Sequence, residues 1–476
     1  MYTKRNLVSA ILAVAIMLLT AIPATPATPE QIEAAIDNGI AWLLANQNAD
    51  GSWGNYAYVG VTGLAVVKLQ DRARELNTSD YDDEIQDGLD YIFSQATIEP
   101  YGSGSGICFA AGWNETYNTG IAMMAIANDG DLNQTVDGGP LNDKTYQEVL
   151  QGNVDFFTFT QNPDGGWRYQ AGMQNSDQSN TGYAVLGLGY AEDAGVVIPA
   201  LVKTNLNNWI NAIQGGDGGS QYTIGGGWEN ELKTGNLMFQ MTFVGDDPGS
   251  ARFLNALAYI ESHWRDANQD PGWGYNNIPH YQAMYCLMKG LQYSDIDLID
   301  TDGDGQSDDD WFNQDPPASP AQDFASAIVA AQLGDGSWPS DYWGDNYLAT
   351  AWALLTLQKV TIEHVIEVEI DIKPGSFPNS INLGSKGVLP VAILTTEDFD
   401  ATTVVPETVG FGPSDALPVQ WALEDVDDDG DVDMIFHFKT QDTGISAGDT
   451  EATLTGGTLE GKDIEGTDSV RTVPPK

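Results

Sequence analysis

Two short stretches of the 476-residue sequence carry oxygen donors at a spacing suited to a hard cation. In the first, Asp300, Asp302, Asp304, Gln306 and Asp308 stand at every second position; in the second, Asp425, Asp427, Asp429, Asp431 and Asp433 do the same. Each loop has Gly at its sixth position, Gly305 or Gly430, where a sharp turn is needed for carboxylates and a backbone carbonyl to wrap one ion. The expected cofactor is Ca²⁺. Other carboxylates, Asp177, Glu229 and Asp341, fall near turns and could serve acid/base chemistry, but no spacing selects a pair. Only two cysteines are present, Cys108 and Cys286, which predicts buried free thiols in place of a disulfide framework.

The elements that must position these groups are announced by repetition. Gln47-Asn-Ala-Asp50-Gly51-Ser-Trp53, Gln161-Asn-Pro-Asp164-Gly165-Gly-Trp167 and Gln332-Leu-Gly-Asp335-Gly336-Ser-Trp338 share one spacing. Weaker copies end at Trp113, Trp228 and Trp273, giving six repeats. Each full copy follows a helical apolar pattern and leads into a second, more uniformly apolar helix; these helices, and that of the second repeat, are opened by Thr62, Thr181, Thr350 and Thr119, where Thr is expected to cap. Amphipathic helices alternating with all-apolar ones imply two shells. The fold expected is multidomain: an all-α (α/α)6 toroid over residues 28–362, with a calcium-loop insertion at 297–318, and an all-β sandwich over 363–476. A restart of the helix after the insertion is read from a capping box at Ser319 to Gln322.

The Gln/Trp turns resemble those of the terpenoid cyclase and protein prenyltransferase superfamily, including squalene cyclase-type repeats, over roughly residues 30 to 362. That resemblance implies the toroid and a central cavity, whose expected lining is Tyr183, Phe239, Tyr281, Tyr285 and Trp352 on second helices, with Trp343 in the last loop. It also says where catalysis would be looked for. The Asp-x-Asp-Asp acid of squalene-type cyclases is matched at Asp80 to Asp83, in a polar linker where the acids are expected to cap an outer helix, and at Asp425 to Asp428, inside the second metal loop. The Asp-x-Cys zinc pair of prenyltransferases is missing, although His280 and Cys286 resemble the family's His-bearing helix, and the thioester signature of complement-type toroids is missing too. No catalytic residue is assigned.

From Val365 onward the pattern alternates with period two, and Gly, Pro and Asp separate the runs, as expected for a β module. Both metal loops lack Glu at their twelfth position, where Trp311 and Phe436 stand, so they resemble the structural loops of dockerins and extracellular calcium modules more than switching EF-hands. Ile370-Asp-Ile-Lys-Pro-Gly-Ser376 resembles a small accessory module of secreted microbial proteins.

At the N-terminus, Lys4 and Arg5 precede an apolar run ending in small residues, which predicts a signal peptide over 1–27 and a secreted or cell-surface location. Asn77, Asn114 and Asn133 stand in glycosylation sequons. The formal charge is −49, and removal of the leader's two positive charges makes it −51; nucleic acid and anionic lipid are thereby excluded as partners. The functional expectation is a calcium-binding protein whose toroid holds a small-molecule, glycan or protein ligand, without a transmembrane segment in the mature chain. The alternatives are a toroid enzyme, isoprenoid cyclase-like or carbohydrate-active, and a structural envelope protein.

Overall fold

A computed structural model describes residues 26–473 except 57, 102–103, 302, 304, 315–322, 341–343, 360–365, 397–398, 428 and 459–462. Residues 1–25 of the expected leader, Trp343, Asp341, Asp302, Asp304 and the capping box at Ser319 lie outside the described residues. The chain divides into two compact units, 1–361 and 362–476.

The described residues of unit one form helices that alternate in sequence order between two sets: α1 (Pro29–Ala45) then α2 (Tyr58–Leu76), α3 (Asp82–Ser94) then α4 (Glu115–Ala127), α5 (Tyr146–Thr160) then α6 (Gln178–Asp193), α7 (Ala200–Ile213) then α8 (Glu231–Phe243), α9 (Ala251–His263) then α10 (Tyr281–Gln292), and α11 (Phe324–Ala331) then α12 (Asn346–Leu357). Two antiparallel strands, β1 (Ala96–Tyr101) and β2 (Gly104–Phe109), intervene between α3 and α4, and a short pair, β3 (Leu298–Ile299) and β4 (Asp309–Asp310), between α10 and α11. The even-numbered helices are buried almost throughout, as their uniformly apolar faces require. α2 packs on α4, α4 on α6, α6 on α8, α8 on α10, α10 on α12, and α12 on α2. Where α4 meets α6, Gly120 and Gly187 face each other, and a Cβ on either would collide with the other helix's backbone.

The repeated turn has a definite job. Gly51, Gly165 and Gly336 hold φ of +83°, +93° and +93°, and the preceding Asp accepts backbone N–H bonds within its own turn. Each Trp indole N–H donates to a carbonyl ten residues back: Trp53 to Leu43 (2.8 Å), Trp167 to Phe157 (2.9 Å) and Trp338 to Ile328 (2.7 Å). The Gln amide then reaches the next outer helix, Gln47 to Glu84 O and Gln161 to Val202 O, while Gln332 of the sixth turn donates to Ala35 O of α1 (2.8 Å).

Three expectations need correction here. The repeated Thr does not cap: it lies about one turn inside its helix, where its hydroxyl accepts the backbone N–H of Trp53 on Thr62, Trp167 on Thr181 and Trp338 on Thr350, at 2.9–3.0 Å. The fourth turn is not at Trp228 but at Gln214 to Ser220, where Gln214 donates to Arg252 O, Gly218 has φ +95°, and Ser220 N–H goes to Thr234. In the second repeat Phe109 takes the corresponding place, its N–H on Thr119, so Trp113 is released. Asp82 and Asp83 stand exposed in the first turn of α3, but its N-cap is Tyr81 and no side chain caps it; α11 is capped by Asp323, which accepts from Ser326 N–H at 2.7 Å.

Unit two places β10 (Gln420–Glu424), β11 (Asp433–Lys439), β8 (Val388–Ile393) and β6 (Ile370–Ile372) in one sheet, in that order. A second sheet has the order β5 (Ile366–Glu367), β13 (Asp463–Ser469), β12 (Glu451–Gly457) and β9 (Gly410–Phe411). β7 (Ser380–Asn382) pairs in parallel with β14 (Arg471–Val473). Val391, Phe436 and Phe438 of the first sheet share one core with Phe411, Leu454 and Ile464 of the second. No described helix is long and apolar enough to cross a membrane.

Candidate functional site

The residues expected to line a cavity are instead sealed in the interior: Tyr183, Phe239, Tyr281, Tyr285 and Trp352 are all buried. Gln282 Nε2 of α10 donates to Tyr183 Oη of α6 (3.2 Å), and seven residues further along both helices Lys289 Nζ donates to Tyr190 Oη (3.0 Å). Helices α6 and α10 are each neighbours of α8, so these bonds bridge across the interior. Lys289 and Lys68 are both fully buried there, and desolvation pulls each ammonium down to about 7. Burial likewise pushes Cys286 and Cys108 up to about 12, and both are free thiols.

Accessible chemistry gathers where the inner helices begin. Asp177 caps α6, accepting from Asn180 N–H (2.9 Å), and Asn230 caps α8, accepting from Lys233 N–H (3.0 Å). The loops before these caps are tied together: Gln178 N–H donates to Tyr222 O (2.9 Å), Thr116 Oγ1 to Arg168 O (2.6 Å), and the amide of Ala171 to the Glu115 carboxylate. This lashing presents a run of aromatic rings. Trp228 stands 5.4 Å from Tyr222; the Tyr222 and Tyr169 hydroxyls are 3.0 Å apart; Tyr169 stacks on Tyr117 at 6.1 Å, and the tilted ring of Tyr183 lies 4.9 Å from Tyr117. The Arg168 guanidinium lies over Tyr169 and Tyr222 (5.2 and 5.7 Å) and pairs with Asp177 (2.9 Å), while Lys233 Nζ lies 4.2 Å over Trp228. Trp228 is 44% exposed and Trp113, just before α4, 65%, which leaves their faces open to a ligand.

Two carboxyls beneath this surface are perturbed. Desolvation raises Asp177, against hydrogen bonds from Ser179 and Asn180 that oppose the shift. It raises Glu231 well above the usual range, although Glu231 accepts Trp273 N–H at 2.9 Å. Both side chains are shut off from solvent. Glu229 is half-buried.

In the second acidic loop Asp425, Asp427 and Asp433 bring carboxylate oxygens within 4.8 Å of one another. Asp433 is held by Thr395 and Val426 N–H groups, both at 2.8 Å. Asp429 and Asp431 are not part of that cluster; their backbone amides brace the loop against Asp427 and Asp429. In the first loop Asp300 accepts from Gly303 and Gly305 N–H (2.6 and 2.9 Å), and Gln306 and Asp308 are exposed.

Tyr169 and Tyr222 were missed in the sequence because loop aromatics carry no period, and Arg168 and Lys233 because single cations beside a turn read as solvated. The signal for Trp113 and Trp228 was present: each lacks the Asp three residues earlier that Trp53, Trp167 and Trp338 have. No family model and no curated protein matches the chain. Among solved structures it is similar to the type II terpene cyclase MstE from Scytonema (14% identity, TM-score 0.44, 69% of this chain and 98% of that one). It is also similar to a glycoside hydrolase family 76 mannosidase from Bacteroides thetaiotaomicron (11%, 0.44, 69% and 97%).

Proposed function

We propose that the helical unit is a closed (α/α)6 toroid that binds a glycan at the end where its inner helices begin, and that it belongs to an exported, calcium-stabilised protein whose second unit is a β-sandwich. The observation that carries the glycan reading is the run from Trp228 through Tyr222, Arg168 and Tyr169 to Tyr117, flanked by Trp113. Sugar rings stack their apolar C–H faces on such aromatics, and the partly exposed Arg168 and Glu229 supply hydroxyl partners. Ring closure is supported by α12 packing on α2 and by Gln332 reaching α1.

Binding is preferred over hydrolysis because the two raised carboxyls are sealed and engaged, Asp177 by Arg168, Ser179 and Asn180, and Glu231 by the Trp273 amide. The calcium reading rests on the convergence of Asp425, Asp427 and Asp433, an all-oxygen donor set of the kind this hard cation takes. The test is an oligosaccharide panel read by calorimetry, with release of reducing ends followed in parallel. Heat without release supports binding; release abolished by Glu229→Gln would replace it with a hydrolase.

A further inference from the structure

The first sheet of the β unit carries two apolar rows whose outermost members, on β10, the described residues leave about half exposed. Ile372 stands opposite Val391, Val391 opposite Phe436, and Phe436 opposite Trp421; a parallel row runs Ile370, Ile393, Met434, Leu423. Directly opposed residues share a face, so both rows lie on the side that forms the core. The first three members of each row are buried, but Trp421 is 47% and Leu423 49% exposed, and Val419 and Leu417 before them are exposed as well. Among the described residues β10 pairs with β11 alone, and none of them pairs with its other edge. In a chain of charge −49, the window from Leu417 to Leu423 holds no charged residue. Natural edges are usually blunted by Lys, Pro or a bulge; here Pro418 precedes the strand and Gln420 to Glu424 carries none of these.

We propose that β10 pairs antiparallel with β10 of a second copy, forming a homodimer through the β unit. A two-fold axis at Ala422 sets Trp421 opposite Leu423 of the partner subunit and Gln420 opposite Glu424 of the partner subunit. Both apolar rows then run on into the second core, and no carboxylate faces another within the paired segment. Open edges recruit strands in this way because main-chain bonds supply affinity while the side-chain pattern selects the register. Self-pairing fits the chemistry: a partner must bring an alternating strand with little charge, and β10, in which Glu424 is the one charged residue, is such a strand.

Sedimentation velocity on the full chain, across a concentration series in low and high salt, tests this. The expected result is a dimer favoured by salt, since screening shortens charge repulsion to about 3 Å at 1 M. Trp421→Lys and Ala422→Pro should each halve the sedimenting mass with unchanged far-UV circular dichroism. Independently, the double variant Gln420→Cys, Glu424→Cys should form an interchain disulfide on mild oxidation. A chain that stays monomeric in high salt, a dimer that survives both single variants, an absent crosslink, or assembly that does not stop at two copies would each overturn the proposal.

Discussion

At the level of single residues the least comfortable groups are the interior lysines. Lys68 Nζ has no hydrogen-bond partner among the described residues, and its ammonium is pulled to about 7 by burial, with Asp71 and Glu75 only partly offsetting that cost. Between pH 7 and the ordinary lysine range the unfolded chain binds a proton that the folded chain does not, so stability rises with pH across that window, and the full penalty is present below it. Lys68→Met should therefore raise stability by roughly 1–3 kcal/mol at pH 7, as removal of an uncompensated buried charge does. That advantage should shrink as the pH approaches 10; denaturant melts of both proteins at three pH values measure it. Lys68 was not legible as an interior charge, because it stands where the apolar half of α2 gives way to Gln70, Asp71 and Arg72, and there a Lys reads equally well as a side chain reaching solvent.

Among the elements, the turn and the Thr behind it form one device. Thr181→Val removes the acceptor for the buried Trp167 amide and should cost about 1–3 kcal/mol, with Thr181→Ser restoring most of it. An equal loss in Val and Ser variants, measured by urea unfolding, would contradict the hydrogen-bond account. Three copies of this turn were readable because Gln, Asp-Gly and Trp occur together; the fourth was hidden by Ser220 standing where Trp is expected, although Gln214, Asp217 and Gly218 keep the spacing. The acidic loops were readable as motifs, but which oxygens converge depends on the turn, and in the second loop Asp429 and Asp431 support the backbone. Chelation should lower the melting temperature by removing a ligand of the folded state, and Asp425→Ala should abolish the part of that shift that belongs to the β unit. Superimposable melts with and without excess chelator would end the calcium reading.

For the molecule as a whole, 68 acidic against 19 basic residues make self-repulsion a standing cost. Thermal melts from about 0.1 M to 1 M NaCl, where the screening length falls from about 10 to 3 Å, should show a rising transition temperature. The two-part organisation could be read from the change of hydrophobic period near Gln358, and the helical pairing from the repeats. The site could not, because it is assembled from loops that precede three different inner helices and meet only through bonds such as Gln178 N–H to Tyr222 O and Thr116 to Arg168 O. The central claim is that this surface binds glycan while the sealed interior does not. Calorimetric titration of the panel's best oligosaccharide into wild type, Trp228→Ala and Tyr281→Phe decides it. The account predicts a loss of about tenfold or more, roughly 1.4 kcal/mol, in Trp228→Ala and unchanged affinity in Tyr281→Phe; binding that survives Trp228→Ala but fails in Tyr281→Phe, or no binding by wild type, would contradict it.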